Sequence, residues 1–432
     1  MSPQNVNLFI SKHSSQICHT FSTLALTSGH IRYNAVLPGR QTYPSPMNHI
    51  YFLIEFIDEL VFGVGEAAWP LIRNDLGLNY VQIGLALSLP GILGNILEPF
   101  IFILGDVWKR RAIILLGGVC FVVSLILTGI SAAFYLFMFS LILFNPASGA
   151  FVSLSQASLM DSQPARHEQN MARWTFAGSL GVMVGPFMLG GLALMNWGWR
   201  PAYWLLALFA TLALFAAFKR LPRSQSSSDQ LPSPGTFLAS LGTALSALKN
   251  RTVLRWLILL EFSDLMLDIL HGFLALYLVD IMKLSPAEAA FVLAGYTGIG
   301  LIGDFLLIPF LERVKGLDYL RMSVLVECIL LPLFLLTSIP WLKLTSLGFI
   351  GLFVVGWYAI LKANLFSSMQ GRSGTAQALG SVSGIIGKLI PLGIGLAAQA
   401  YGLQTAMWLL LAGPIALLIG LPRRTADLVL NI

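Results

Sequence analysis

The sequence predicts an all-α membrane protein in which twelve transmembrane helices form two pseudo-symmetric six-helix bundles around a central cavity. Three observations carry that expectation. Hydrophobic residues make up 56% of the chain and charged residues 11%, with a mean hydropathy of +0.78, which leaves too little polar surface for a water-soluble globule. Apolar runs recur along the 432 residues, each close to the roughly 20 residues that a hydrocarbon core requires. The two halves of the chain also repeat each other's acidic positions, as a duplicated unit would.

Taken in order, residues 1–46 are polar and rich in Ser and Thr, without the basic-then-apolar pattern of a signal peptide, and read as a tail; Met47 offers an alternative start. A first bundle, 47–218, contains apolar runs at 49–71, 81–105, 112–131, 133–156, 174–196 and 201–218. A polar stretch containing Ser and Pro, 219–252, reads as a cytoplasmic linker. The second bundle, 253–422, has runs at 254–279, 287–310, 321–340, 344–367, 379–400 and 404–421, and 423–432 form a short C-terminal tail. These runs are continuous rather than alternating in ten-residue pieces, so they satisfy their backbone in lipid as helices and not as a barrel. Cys18, Cys120 and Cys328 are too scattered for a disulfide framework or a metal cluster.

Lys109, Arg110, Arg111, Lys219, Arg220, Arg313 and Lys315 fall on one side if the loops alternate, whereas only Arg73, Arg200, Lys283 and Lys343 fall on the other. Basic loops stay where synthesis leaves them, so both termini are expected in the cytoplasm of a multi-pass cell-membrane protein. The net charge of +6 is explained by that asymmetry and calls for no nucleic acid. No GxxxxGK[ST] motif occurs, so ATP-driven transport by this chain is not expected.

A shift of about 206 takes LIEFIDEL at 53–60 onto LLEFSDLM at 259–266, matching Glu55 with Glu261, Phe56 with Phe262 and Asp58 with Asp264. Without a gap it also takes Gly94 to Gly300, Glu98 to Asp304, Asp106 to Glu312 and Lys109 to Lys315. Two homologous halves put a substrate path where they meet, near the membrane midplane.

The loop after the second run reads GDVWKRR, and the fifth run contains GVMVGPFMLGG. On these residues the chain resembles the major facilitator superfamily. Asp106, Arg110 and Arg111 match its signature loop, although Phe102 and Lys109 stand where the family carries glycine. Gly181, Gly185, Pro186, Gly190 and Gly191 match the pattern that its drug:proton antiporters carry in the fifth helix. The resemblance implies alternating access through a cavity lined mainly by helices 1, 4, 7 and 10, and a monomer. Physically, Asp106 can accept from Arg110 at a helix terminus and, with Arg111 and the repeat-mate Glu312, make a cytoplasmic latch that breaks when the halves rock. The plain reading of Lys109, Arg110 and Arg111 is positive-inside anchoring. For the glycines it is tight helix packing.

Ten acidic residues lie inside apolar runs: Glu55, Asp58, Glu59, Glu66, Glu98, Glu261, Asp264, Asp268, Asp304 and Glu327. A centred Asp costs roughly 2.5–3.5 kcal/mol on insertion, so these side chains must line a wet cavity or be paired. At about 100° per residue, Glu55, Glu59 and Glu66 share one face, with Asp58 beside it, and Glu261, Asp264, Asp268 and His271 share another. Crowded carboxylates cannot all ionise, so protons are the expected coupling ion. Lys388 and Glu98 lie at matched depths on helices 11 and 2, which predicts an ion pair between them, with Asp264 or Asp304 competing. Lys362 can snorkel. Asn145 and Gln156 are candidate substrate contacts or interhelical bonds, and His271 is a proton relay or is satisfied by Asp268 one turn away. Glu327 has no acidic repeat partner.

The favoured function is a proton-coupled secondary transporter, exporting a small organic or cationic compound and needing no cofactor. Alternatives are a divalent metal exporter using the carboxylates and His271, and a solute importer of the same fold. An intramembrane aspartyl protease, suggested by LIGDF at 301–305, is set aside because Asp304 repeats Glu98, which suits symmetric transport and not a catalytic dyad; the chain is not expected to be an enzyme.

Overall fold

The computed structural model describes residues 48–107, 109–162, 167–222, 249–311, 313–368, 379–380 and 383–422. The expected tails at 1–46 and 423–432, most of the linker at 219–252, Glu312 and the side chain of Asp106 lie outside what is described.

Among the described residues every regular element is helical. The helices are α1 (Asn48–Leu76), α2 (Tyr80–Val107), α3 (Arg110–Ile130), α4 (Phe134–Ser148, the π-helical turn Gly149–Ser153, and Leu154–Ser162), α5 (His167–Leu194) and α6 (Arg200–Arg220). The second half supplies α7 (Arg251–Asp264, the π-helical turn Leu265–Ile269, and Leu270–Asp280), α8 (Pro286–Leu311), α9 (Gly316–Leu336) and α10 (Pro340–Phe353 and Trp357–Ser367). It ends with α11 (Ser383–Tyr401) and α12 (Leu403–Gly420). Ten of these, among the described residues, are long and apolar enough to cross a membrane. The two outside that set, α1 and α7, are the helices that carry the acidic stripes.

The sequence repeat reappears as coincident helix starts. The shift of about 206 takes Tyr80, Arg110 and Phe134, which open α2, α3 and α4, to Pro286, Gly316 and Pro340, which open α8, α9 and α10. Even the caps repeat. Asn79 N–H donates to Gln82 Oε1 at 3.0 Å while Gln82 N–H donates to Asn79 Oδ1 at 2.9 Å. At the shifted positions Ser285 N–H donates to Glu288 Oε2 at 2.8 Å and Glu288 N–H to Ser285 Oγ at 3.2 Å. Both are capping boxes, each satisfying two donors that the helix leaves open.

The interruptions of α4 and α10 also correspond, since Gly149–Ser153 shifts onto 355–359, at the break of α10 between Phe353 and Trp357. Gly356 supplies the left-handed turn there, with φ +77°. An interrupted helix frees carbonyls that lipid cannot satisfy. Tyr319 Oη of α9 donates to one of them, Val355 O, at 3.0 Å.

The bundles meet along α2 against α11 and α5 against α8, with α7 beside α1. Ser88 Oγ accepts from Leu392 N–H at 3.0 Å, and Phe187 meets Phe291 with ring centroids 6.0 Å apart. Within the first bundle α5 crosses α1 so closely that a Cβ at Gly185 would stand 2.6 Å from Val64 N. The outer surface exposes large apolar side chains, including Leu116, Ile329, Leu336 and Ile419, as a lipid-solvated protein does and a soluble monomer does not.

Candidate functional site

A cavity of about 740 Å³ lies between the bundles. Its polar wall is made by Glu59 and Glu66 of α1, Asn145 of α4, Asp264, Asp268 and His271 of α7, Asp304 of α8 and Lys388 of α11. Its apolar wall is aromatic: Phe62 and Trp69 of α1, Phe137 and Phe144 of α4, Tyr203 of α6, Tyr296 of α8 and Tyr358 of α10. Phe62 and Phe144 meet edge to face at 5.5 Å. Helices 1, 4, 7 and 10 thus contribute as the resemblance implied, together with helices 2, 3, 5, 6, 8 and 11.

The stripes of α1 and α7 do not stay single. Glu55 is buried at 8% exposure and faces α5, where Trp174 hydrogen-bonds it and Gly178 makes room for it. Asp58, at 6% exposure, accepts from Ser148 Oγ of α4 at 2.9 and 3.0 Å on its two oxygens. Only Glu59 and Glu66 of that stripe reach the cavity. On α7, Glu261 turns toward α11, bonded by Ser383 and packed on Gly387, while Asp264, Asp268 and His271 line the cavity. Gly178 and Gly181 of α5 shift onto Gly384 and Gly387 of α11, so the two repeat-mate glutamates share one solution, a carboxyl laid on a glycine-bearing helix.

The paired groups differ from the sequence expectation. Lys388 Nζ stands 3.5 Å from Asp268 Oδ2, not on Glu98 and not on Asp264 or Asp304. Its stem lies against Gly91 of α2, but the ammonium turns back into its own bundle. Depth matching could not foresee that rotation. Glu98 instead packs beside Gly149 of the α4 π turn. His271 Nδ1 lies 3.0 Å from Glu66 Oε2 across the α1–α7 contact, rather than being satisfied by Asp268 one turn away. Its ring also packs at a tilt of 57° against Tyr296, centroids 4.9 Å apart. Lys362 Nζ sits 5.6 Å from the ring centroid of Tyr358.

One cluster escaped the sequence reading. Where α1 and α7 end, Arg73 Nη2 donates to Asp280 Oδ1 at 2.7 Å, and Arg73 Nη1 and Tyr80 Oη both bond Asp280 Oδ2. The pair ties one bundle to the other at the cavity's far end, the side opposite the start of α1. In the sequence Arg73 reads only as one of the few basic residues on the less basic side. An isolated charge there, beside an acid closing the repeat-mate helix, is the signal that was available.

Of the loop groups, Arg110 Nε donates to Gly105 O at 3.1 Å and Arg111 Nη2 to Phe218 O at 2.7 Å. The Asp106 carboxyl and Glu312 lie outside the described residues. In α5, Gly181 and Gly185 meet the α1 backbone, Gly190 meets the Phe291 ring of α8, and Gly191 has nothing within 4 Å of a built Cβ. Pro186 lies inside α5 without ending it. Cys120 and Cys328 are free thiols. Among the described residues no three His, Cys, Asp or Glu side chains converge as metal ligands.

The sequence profile of the Major Facilitator Superfamily matches residues 51–398. The quinolone resistance protein NorA of Staphylococcus aureus is 24% identical over 359 residues, covering 80% of this chain and 88% of NorA. A major facilitator superfamily transporter of Mycoplasma pneumoniae is 27% identical over 177 residues, which is 37% of this chain; the chain spans 30% of that relative's length. Among solved structures, the nucleoside transporter NupG superposes with a TM-score of 0.69 at 13% identity, over 87% of this chain and 98% of NupG. A bacterial homologue of the human lysosomal transporter Spinster, in an inward-facing and unoccupied conformation, gives 0.64 at 15% identity, over 88% and 95%. At these identities the two structures show the fold alone.

Proposed function

Because this chain belongs to the major facilitator superfamily, we propose that it is a proton-coupled secondary transporter, working as a monomer by alternating access and exporting a small organic compound, preferentially a cation. The observation that carries this reading is the composition of the cavity wall. Five carboxylates, Glu59, Glu66, Asp264, Asp268 and Asp304, face one ammonium and one imidazole across a ring of aromatic side chains. Such a wall attracts a flat organic cation by charge and by its ring faces. Carboxylates this crowded hold either protons or the cation, so loading one releases the other. The likeness to NorA over most of the chain supports an organic substrate moved outward.

The cycle follows from which contacts join the bundles. Arg73–Asp280 holds the far end shut; when it opens, the α2–α11 and α5–α8 faces slide and the latch built on Asp106, Arg110, Arg111 and Glu312 closes the cytoplasmic end. With basic loops inside, the far end is the outer face and both termini are cytoplasmic.

Purified protein in vesicles, loaded with ethidium as a test cation, should move protons against ethidium. Asp58→Asn and Asp264→Asn should abolish that exchange of protons while the protein remains folded. Parental proton stoichiometry in both variants would refute the assignment.

A further inference from the structure

Helix α9 carries a line of three polar residues, Tyr319, Ser323 and Glu327, each one turn after the last. All three are buried. Tyr319 and Ser323 face the break in α10. Tyr319 Oη donates to Val355 O at 3.0 Å, and Ser323 Oγ accepts from Trp357 Nε1 at 2.8 Å. Glu327 lies one turn beyond them at 0% exposure, and neither of its oxygens has a hydrogen-bond partner. It stands at the middle of α9, about 15 Å from either end. The repeat gives the control. A shift of about 206 places Ile113, Gly117 and Phe121 of α3 at the same three positions, all buried and none with a polar side chain. The core of one bundle therefore holds a phenylalanine where the other holds a carboxyl.

An ionised carboxylate without a donor is not sustained at such a place, so the side chain is the neutral acid, and its proton needs a way in. The broken segment of α10 supplies one. Val354, Val355 and Gly356 line the central cavity on one side and meet Tyr319 on the other. Tyr296 of α8 also lines the cavity, packs against His271, and lies within charge range of both Glu66 and Glu327. Asp304 of α8 faces the same region across Tyr319. Lys343 of α10 is two turns away over the Phe334 ring and is held on Tyr277 Oη at 2.7 Å. The last stretch of α12, Ala412–Gly420, contributes no titratable group.

We propose that Glu327 is a proton-binding site separate from the carboxylates of the substrate cavity, loaded from that cavity through the break in α10. The inference rests on the proton-coupled reading above, deepening it from one proton store to two.

The test uses the full chain in lipid nanodiscs and infrared difference spectra taken as pH is stepped between about pH 5 and 9. The expected result is a protonated-carboxyl carbonyl band that Glu327→Gln removes and Asp264→Asn leaves. In vesicles Glu327→Gln should slow proton-driven ethidium efflux about tenfold while ethidium–ethidium exchange stays within about twofold of the parent. Glu327→Phe, which installs the repeat-mate side chain, should fold and behave as Glu327→Gln does. Superimposable spectra of parent and Glu327→Gln would overturn the site, as would proton-driven efflux at the parental rate in both variants. A parent that moves no protons but loses the band on substitution would support the site and overturn the coupling.

Discussion

The glycines of α5 separate two explanations that the sequence left side by side, helix packing and a device for antiport. A methyl group added at Gly185 would stand 2.6 Å from Val64 N and 2.7 Å from Gly63 C. Both are backbone atoms in the middle of α1 and cannot rotate aside. Reaching an ordinary contact requires the axes to part by roughly 0.8 Å. The crossing then loses dispersion contacts along its length, so Gly185→Ala should cost about 1–3 kcal/mol. Gly191→Ala lies six residues on in the same motif, and its methyl meets nothing within 4 Å. It should leave stability unchanged. Thermal unfolding of the purified protein, read by the fraction still monodisperse after heating, ranks the two variants, and ethidium exchange in vesicles reports function. Equal stability of the two would refute the packing argument. Loss of transport in Gly191→Ala, with stability intact, would instead assign the motif a role beyond packing.

Breaking the far-end cluster should favour the opposite conformation. Arg73 and Asp280 are each 18% exposed, so removing one partner costs about 1–3 kcal/mol after allowing for screening, a population shift of roughly 5- to 150-fold. Arg73→Gln and Asp280→Asn should each raise labelling, by an impermeant maleimide added from the far side, of a cysteine placed at Phe62, and the charge-swapped double variant should restore the parental rate; no change in either single variant would remove the cluster from the gate. Lys388 pairs with an Asp268 side chain that is 67% exposed, so Lys388→Ala should change stability by about 1 kcal/mol or less. Removing the ammonium leaves the cavity wall more negative, and ethidium fluorescence titration should show several-fold tighter binding; weaker binding would mean that Lys388 touches the substrate.

The duplication was legible because it is written in residue identity and spacing. The shift that aligned Glu55 with Glu261 also placed the starts of α2, α3 and α4 on those of α8, α9 and α10. The sheltering of the carboxylates was legible too, because lipid leaves them no alternative. Partner choice was not. Glu98 and Lys388 agree in depth, yet a pair also needs the side chain to leave its helix in the right direction, and Lys388 folds back to Asp268 after passing Gly91. His271 met Glu66 rather than Asp268 because α1 lies directly against α7, a contact between repeat-mates that no spacing within α7 encodes.

Which bundle each partner belongs to decides what its bond can do. Arg73–Asp280 and Glu66–His271 each join α1 to α7, one partner from either half, so the proposed rocking of the bundles would stretch or break both. Asp268–Lys388 and Asp58–Ser148 lie within single bundles and travel with them. The first two are therefore placed to report conformation, whereas Asp268, which lines the cavity, keeps its Lys388 partner whichever side is open. Had Lys388 bridged to Glu98, the cavity's ammonium would have been part of a gate and its charge would change with every half-cycle. Held on Asp268 it is a fixed element of the wall. Of the groups lining the cavity, Glu66 with His271 is the pair that spans the contact between the bundles.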